Sequence, residues 1–197
     1  MESGKALRAD TRRTRTRLLN VLGDLLETRG LAVSLPELAR EAGVSVATVY
    51  RHFDDVHDLR QEFYDRTLAS LIDEFSRLTD QHGGLDLYER MCEAWVEMAS
   101  GWARAGSFIR SPEGFIERVT KKDVLITRLY GLLRPVVQSL MSDGVVAERN
   151  VDYAVLLWVT LFDERVFIDL EIAMAWNVTA TAKRLSATYL DALRRAQ

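Results

Sequence analysis

Apolar residues recur along this chain at the three-to-four-residue spacing of helices, without the strict alternation of a half-buried strand. From Thr14, Leu18, Leu22 and Leu25, with Leu19 and Leu26 beside them, predict a first helix closed by Gly30. A second, short helix follows in "SLPELAREAG". Ser34 is placed to cap it, and Glu37 completes a capping box three residues on. Pro36 fits the first turn, where an N–H has no intrahelical partner to lose. Leu35, Leu38, Ala39 and Ala42 form its inner face, and Gly43 ends it. Ser45 opens a third helix through about Phe53. Asp54 and Asp55 start a fourth, whose Leu59, Phe63, Leu68, Leu71, Ile72 and Phe75 carry it to about Leu78.

Beyond Gly83 and Gly84 the pattern predicts a helix from about Asp86 to Ala105 and a short segment after "SPEG". A longer helix is opened by Thr120 with Asp123 as acidic partner and kinked or broken at Pro135. Asn150 opens a long apolar helix to about Met174, and Asn177 opens the last. The fold class is all-α, with about nine helices. No repeat or low-complexity segment interrupts it.

Charge adds an asymmetry. Up to Phe53 the chain carries nine basic and six acidic side chains; the whole chain has net charge −3. A basic end on an acidic body suits a polyanion at one end only. Cys92 is the single cysteine, so no internal disulfide forms, and its helical setting makes it a buried apolar residue rather than a nucleophile. The N-terminus has no apolar signal-peptide core, and "YAVLLWVTLF" is too short to span a bilayer. The expected location is cytoplasmic, with no membrane partner.

Residues 34 to 53 hold the candidate chemistry. Two short helices joined by "AGVS" have the spacing of a helix-turn-helix, and Gly43 permits the left-handed backbone of the turn. Val44, Val49 and Phe53 should face inward. Ser45, Val46, Ala47, Thr48, Arg51 and His52 should face outward, with Tyr50 at the edge. Small Val46 and Ala47 let the helix approach base edges. Arg51 can pair with guanine, and Thr48, Tyr50 and His52 can donate to phosphates. Arg12, Arg13, Arg15 and Arg17, with Arg8, can reach the backbone or minor groove from an N-terminal arm; the alternative is a solvated tail.

The stretch "LPELAREAGVSVATVYRHFDDVHDLRQEFY" resembles the DNA-binding module of the TetR family of transcriptional regulators, over about residues 14 to 63. The resemblance implies a flexible basic arm over 1–13, a helix-turn-helix domain over 14–58 and a helical effector-binding and dimerisation domain over 59–197. It implies a homodimer on a palindromic double-stranded DNA operator, acting as a repressor. A small effector in the body would tilt helix 4, spread the two heads and release the operator. By the family pattern Thr48, Tyr50 and His52 meet phosphates, while Val46, Ala47 and Arg51 face bases. One departure is Val56, where the family usually has Lys, and Asp54, Asp55 and Asp58 surround the spot.

In the body, Trp95, Met98, Trp102, Phe108, Phe115, Tyr130, Trp158 and Phe162 are the candidate walls of an effector pocket for a hydrophobic or aromatic molecule. Arg128, Glu93, Thr127 and Thr160 are possible polar anchors. Leu157, Leu161, Val166, Leu170, Leu185, Tyr189 and Leu193 are expected at the dimer interface. Arg165 and Asp169 are spaced to pair.

His52, His57 and His82 lack metal-ligand spacing, and no G-x-S-x-G, P-loop or G-x-G-x-x-G occurs. The sequence therefore predicts no enzyme, metal or cofactor. The alternative to a regulator is a helical protein–protein adaptor without specific DNA binding, which would not need the basic arm.

Overall fold

Polar side chains set where the helices begin. In the computed structural model, which describes residues 2–29, 33–100 and 113–194, every regular element is helical. The first part holds α1 (Glu2–Arg29), α2 (Leu35–Glu41), α3 (Val46–Tyr50) and the start of α4 (Val56–Gln81). Then come α5 (Gly84–Ser100), α6 (Phe115–Thr120), α7 (Val124–Ser142) and α8 (Val151–Leu161). A short α9 (Glu164–Phe167) runs into a π turn (Ile168–Ala173), and α10 (Val178–Arg194) follows. Gly30, Ala105, Trp102 and Phe108 lie outside the described residues. Among the described residues no helix is long and apolar enough to cross a membrane.

The described residues divide into two compact units, one up to Arg66 and one from Thr67 on. The first is built on Leu18, Leu22, Leu38, Val49, Phe53 and Leu59, all essentially inaccessible. Its α1 starts at Glu2, not at Thr14, so residues 2–13, expected as a flexible arm, are helical. "KALRADTRRTR" consists largely of good helix formers and has no proline, which explains the extension.

In the second unit α10 packs on α5 and α8, and α7 packs on α5 and α8. Rings fill the centre. Trp95 lies 5.4 Å from Phe162, Tyr88 4.8 Å from Trp158, and Trp158 5.7 Å from Tyr189, centroid to centroid. The buried phenols have polar ends to satisfy. Tyr88 donates to the Ser186 carbonyl (3.0 Å) and Tyr189 to that of Ala154 (3.2 Å), tying α10 to α5 and α8. Cys92 is buried in this packing, and burial pushes its thiol up, away from the reactive thiolate. All four tryptophans lie beyond Arg66 in the sequence.

Several expectations are corrected. Thr120 ends α6, and Asp123 itself caps α7, accepting from Ile126 N (3.1 Å). Helix α7 runs through Pro135 without a break. Both Pro135 and Gly131, whose carbonyl loses its partner, are exposed, so water can serve that carbonyl. The helix from Asn150 stops at Leu161 rather than Met174. Asp163 is buried, caps α9 by accepting from Arg165 N (2.8 Å), and pairs with Arg165 Nε (3.1 Å). Arg165 therefore serves Asp163 and not Asp169. Leu185, Tyr189 and Leu193, expected between protomers, are buried within the chain because they form the inner face of α10.

Three helices end in one geometry. After α2, α6 and α7 the third residue past the helix bonds back five residues: Val44 to Ala39, Asp123 to Arg118, Val145 to Leu140. The residue between has positive φ: Gly43 (61°), Lys122 (60°) and Gly144 (68°). Two of these Schellman turns use glycine; the third forces lysine into the left-handed region, at about 1–2 kcal/mol. Lys122→Gly relieves that strain and adds roughly 0.5–1 kcal/mol of unfolded-chain entropy. The expected net result is a gain of up to about 1 kcal/mol, read as a rise of about 2–4 °C in the melting temperature of the second unit. A fall in melting temperature would count against the strain argument.

Candidate nucleic-acid interface

Helix α3 has five residues, too few to be stable alone, so its ends must be held. At its start, Ser45 Oγ accepts from Thr48 N (3.1 Å) and shares a hydrogen bond with Thr48 Oγ1 (2.8 Å). Before it, the Gly43 turn sets the angle between α2 and α3, and an added Cβ there would lie 3.3 Å from Arg17 Nη2. Ser34 caps α2 by accepting from Glu37 N (3.4 Å). Val49 and Phe53 anchor α3 in the core, and Val44 packs half-buried against it.

What remains outward is a face of small and donor residues. Ser45, Val46, Ala47, Tyr50 and Arg51 are exposed, Tyr50 by 53 %, while Thr48 and His52 are half-buried. Arg51 lies back along its own helix, with Nη2 3.1 Å from Thr48 Oγ1 and Nε 3.3 Å from the Ala47 carbonyl. Burial, and then the neighbouring cations Arg15 and Arg51, hold the His52 imidazole below its ordinary range, with Glu62 acting weakly the other way. His52 therefore offers a neutral N–H near pH 7.

Two of the three acids at the start of α4 accept from backbone there. Asp55 Oδ1 accepts from Asp58 N (2.8 Å), and Asp58 Oδ2 accepts from Asp54 N (3.3 Å). A helix N-terminus that would attract an anion thus carries its own. Val56, the first residue of α4, packs half-buried against the core.

On α1, Arg12, Arg13 and Arg17 are exposed. Arg15 is not free. Its Nε donates to both Glu62 carboxylate oxygens (2.6 and 2.7 Å), its Nη2 pairs with the same carboxylate, and its Nη1 donates to the His52 carbonyl (2.8 Å). Its guanidinium also lies 4.7 Å from the Phe53 ring centroid. Nothing in the local spacing of α1 signals this; Glu62 lies 47 residues away.

The proposed pocket residues separate. Trp95, Trp158 and Phe162 are buried in the aromatic core, Met98 is half-buried, and Phe115 and Tyr130 form a separate half-buried pair 6.5 Å apart. The hydroxyl of Tyr130 bonds Asp152. A surface cleft of about 670 Å³ lies between α4 and α5, lined by Ser70, Asp73, Glu74, Arg77, Ala94, Glu97 and Met98. Among the described residues of the expected wall, Met98 alone lines it. Arg128, expected as a polar anchor, pairs with Asp73 (3.3 Å), which lines this cleft. Among the described residues no cluster of His, Cys, Asp and Glu could hold a metal ion.

A glycine-turned helix pair with an exposed donor face defines a helix-turn-helix module. Residues 18–63 match the family described as bacterial regulatory proteins, tetR family. An HTH-type transcriptional regulator of Staphylococcus aureus (strain USA300) is 30 % identical over 77 residues, which are 39 % of this chain and 42 % of that protein. The chain thus matches less than half the length of that relative. Two solved structures share the fold over most of the chain. The transcriptional regulator FadR from Bacillus subtilis, in complex with stearoyl-CoA, superposes with TM-score 0.70 at 13 % identity, covering 89 % of this chain and 97 % of its own. A TetR-family transcriptional regulator from Pectobacterium atrosepticum gives 0.66 at 22 % identity, covering 95 % of each.

Proposed function

We propose that the protein is a ligand-responsive transcriptional repressor that binds a palindromic DNA operator as a homodimer. The observation that carries this reading is the outward face of α3, where Val46, Ala47, Tyr50 and Arg51 stand exposed beside a fixed glycine turn. Val46 and Ala47 would meet base edges, Arg51 a guanine, and Thr48, Tyr50 and neutral His52 the phosphates. Arg12, Arg13 and Arg17 on α1 would add backbone contacts. Two copies would place two α3 helices on half-sites about one helical turn apart. Tyr153 and Leu156, exposed on α8, are apolar residues available for pairing. The proposed effector is a small molecule with an apolar or aromatic part. The stearoyl-CoA bound by the B. subtilis regulator supports this class only by likeness of fold.

Selection of bound duplexes from a random pool tests the reading. The expected product is a two-fold symmetric sequence whose halves are about ten base pairs apart. No enrichment at low salt would remove the regulator and leave the adaptor.

The valine at the start of α4 gives a further expectation. Val56→Lys puts a cation on a long apolar stem beside the incoming backbone. In the dimer it acts twice, so duplex binding should tighten by up to about thirtyfold at low salt, two surface ion pairs of roughly 1 kcal/mol each. The slope of log affinity against log salt should steepen by about 1.8, about 0.9 for each protomer. Unchanged affinity and slope would mean the phosphate does not approach Val56.

A further inference from the structure

Resting on the reading of α3 as the DNA-contacting helix, we infer that Arg15 is a positioning residue, a latch joining the C-terminal end of α3 to α4 through Glu62. The geometry is specific to a guanidinium. Its planar fork engages the Glu62 carboxylate with Nε and Nη2 while Nη1 reaches the His52 carbonyl, 2.8 Å away. That carbonyl lies just past α3, where the last carbonyls of a helix lack intrahelical partners. The same guanidinium covers the ring of Phe53, the anchor that follows. One side chain of α1 thus holds both the exit of α3 and the first turns of α4. Helix α4 continues as a single helix into the residues of the second unit. A displacement of α4 at Glu62 acts on Arg15 and, through it, on the backbone directly after Tyr50 and Arg51.

The competing role for Arg15 is a phosphate contact, with Glu62 merely a neighbouring acid. The two roles differ in sign at Glu62→Gln, which changes one atom and keeps the volume. If Arg15 served phosphate, this substitution would remove a repelling charge and free the guanidinium, tightening duplex binding and steepening the salt slope. The latch requires the opposite: binding weakened about 5- to 30-fold, with the slope unchanged. Arg15→Gln should weaken binding similarly, and the double variant should be no worse than the weaker single, because both cut one link. Arg15→Lys, which keeps the charge but loses the fork, should not restore binding. Arg13→Gln, a control on an exposed cation, should lower the slope by about 2, one contact in each protomer.

A second readout needs no DNA. Hydrogen exchange of the amides from Val46 to Phe53 should quicken in Glu62→Gln and Arg15→Gln while the amides of α5 and α10 keep wild-type protection. Faster exchange at α3 with weaker binding at constant slope supports the latch. Unchanged exchange, or tighter binding in Glu62→Gln, overturns it. A wild type that binds no duplex overturns the DNA reading alone, since the exchange measurement still decides whether Arg15 holds α3.

Discussion

Phe53→Ala is expected to unfold the DNA-proposed unit while leaving the second unit folded. Phe53 is 1 % exposed and contacts the core that also holds Leu18, Leu22 and Leu59. Truncating a buried phenylalanine costs about 3–5 kcal/mol, part transfer and part residual cavity. A unit of this size, at roughly 0.05–0.15 kcal/mol per residue, holds about 3–10 kcal/mol in all. The substitution also takes away the ring beneath the Arg15 guanidinium. Scanning calorimetry should therefore show two transitions where the wild type is closer to one, the lower belonging to residues up to Arg66. Duplex binding should disappear at the temperature of that lower transition. A single cooperative transition, shifted as a whole, would show that the two units do not melt independently.

Arg51→Ala is the second large effect, and it acts on recognition rather than on folding. The side chain is exposed, and its hydrogen bonds to Thr48 and Ala47 are local, so removal leaves the core untouched. A bidentate contact to guanine contributes about 1–3 kcal/mol of discrimination at each half-site. In a dimer the loss occurs twice, so affinity for the selected duplex should fall by at least about thirtyfold. Repeating the duplex selection with the variant should show one base pair per half-site losing its preference while the others keep theirs. The melting temperature should stay within about 1 °C of wild type. A uniform loss across all positions would assign Arg51 to the phosphates instead.

The site was legible where its cause is local. Gly43 between two apolar inner faces requires a left-handed turn, and Ser45 before "VATVY" is a cap; both are written in adjacent residues. Inward Val49 and Phe53 follow from helical spacing alone. What escaped the sequence depends on distant partners or on competition between neighbours. Arg15 reads as one more cation in a basic run until Glu62 is brought beside it. Asp163 looks like an interruption of an apolar helix because its role, capping a new helix after burial, needs the chain to have turned. Trp158, Phe162 and Tyr189 have the composition of a pocket or an interface. Only packing shows that they fill one another's space in the core.

The placement of the indoles makes the native protein its own reporter. Light absorbed selectively by tryptophan excites the second unit and none of the residues before Thr67. A molecule lodging near Trp95 would quench or shift that emission. Occupation of the second unit can therefore be followed through the native indoles, without a label.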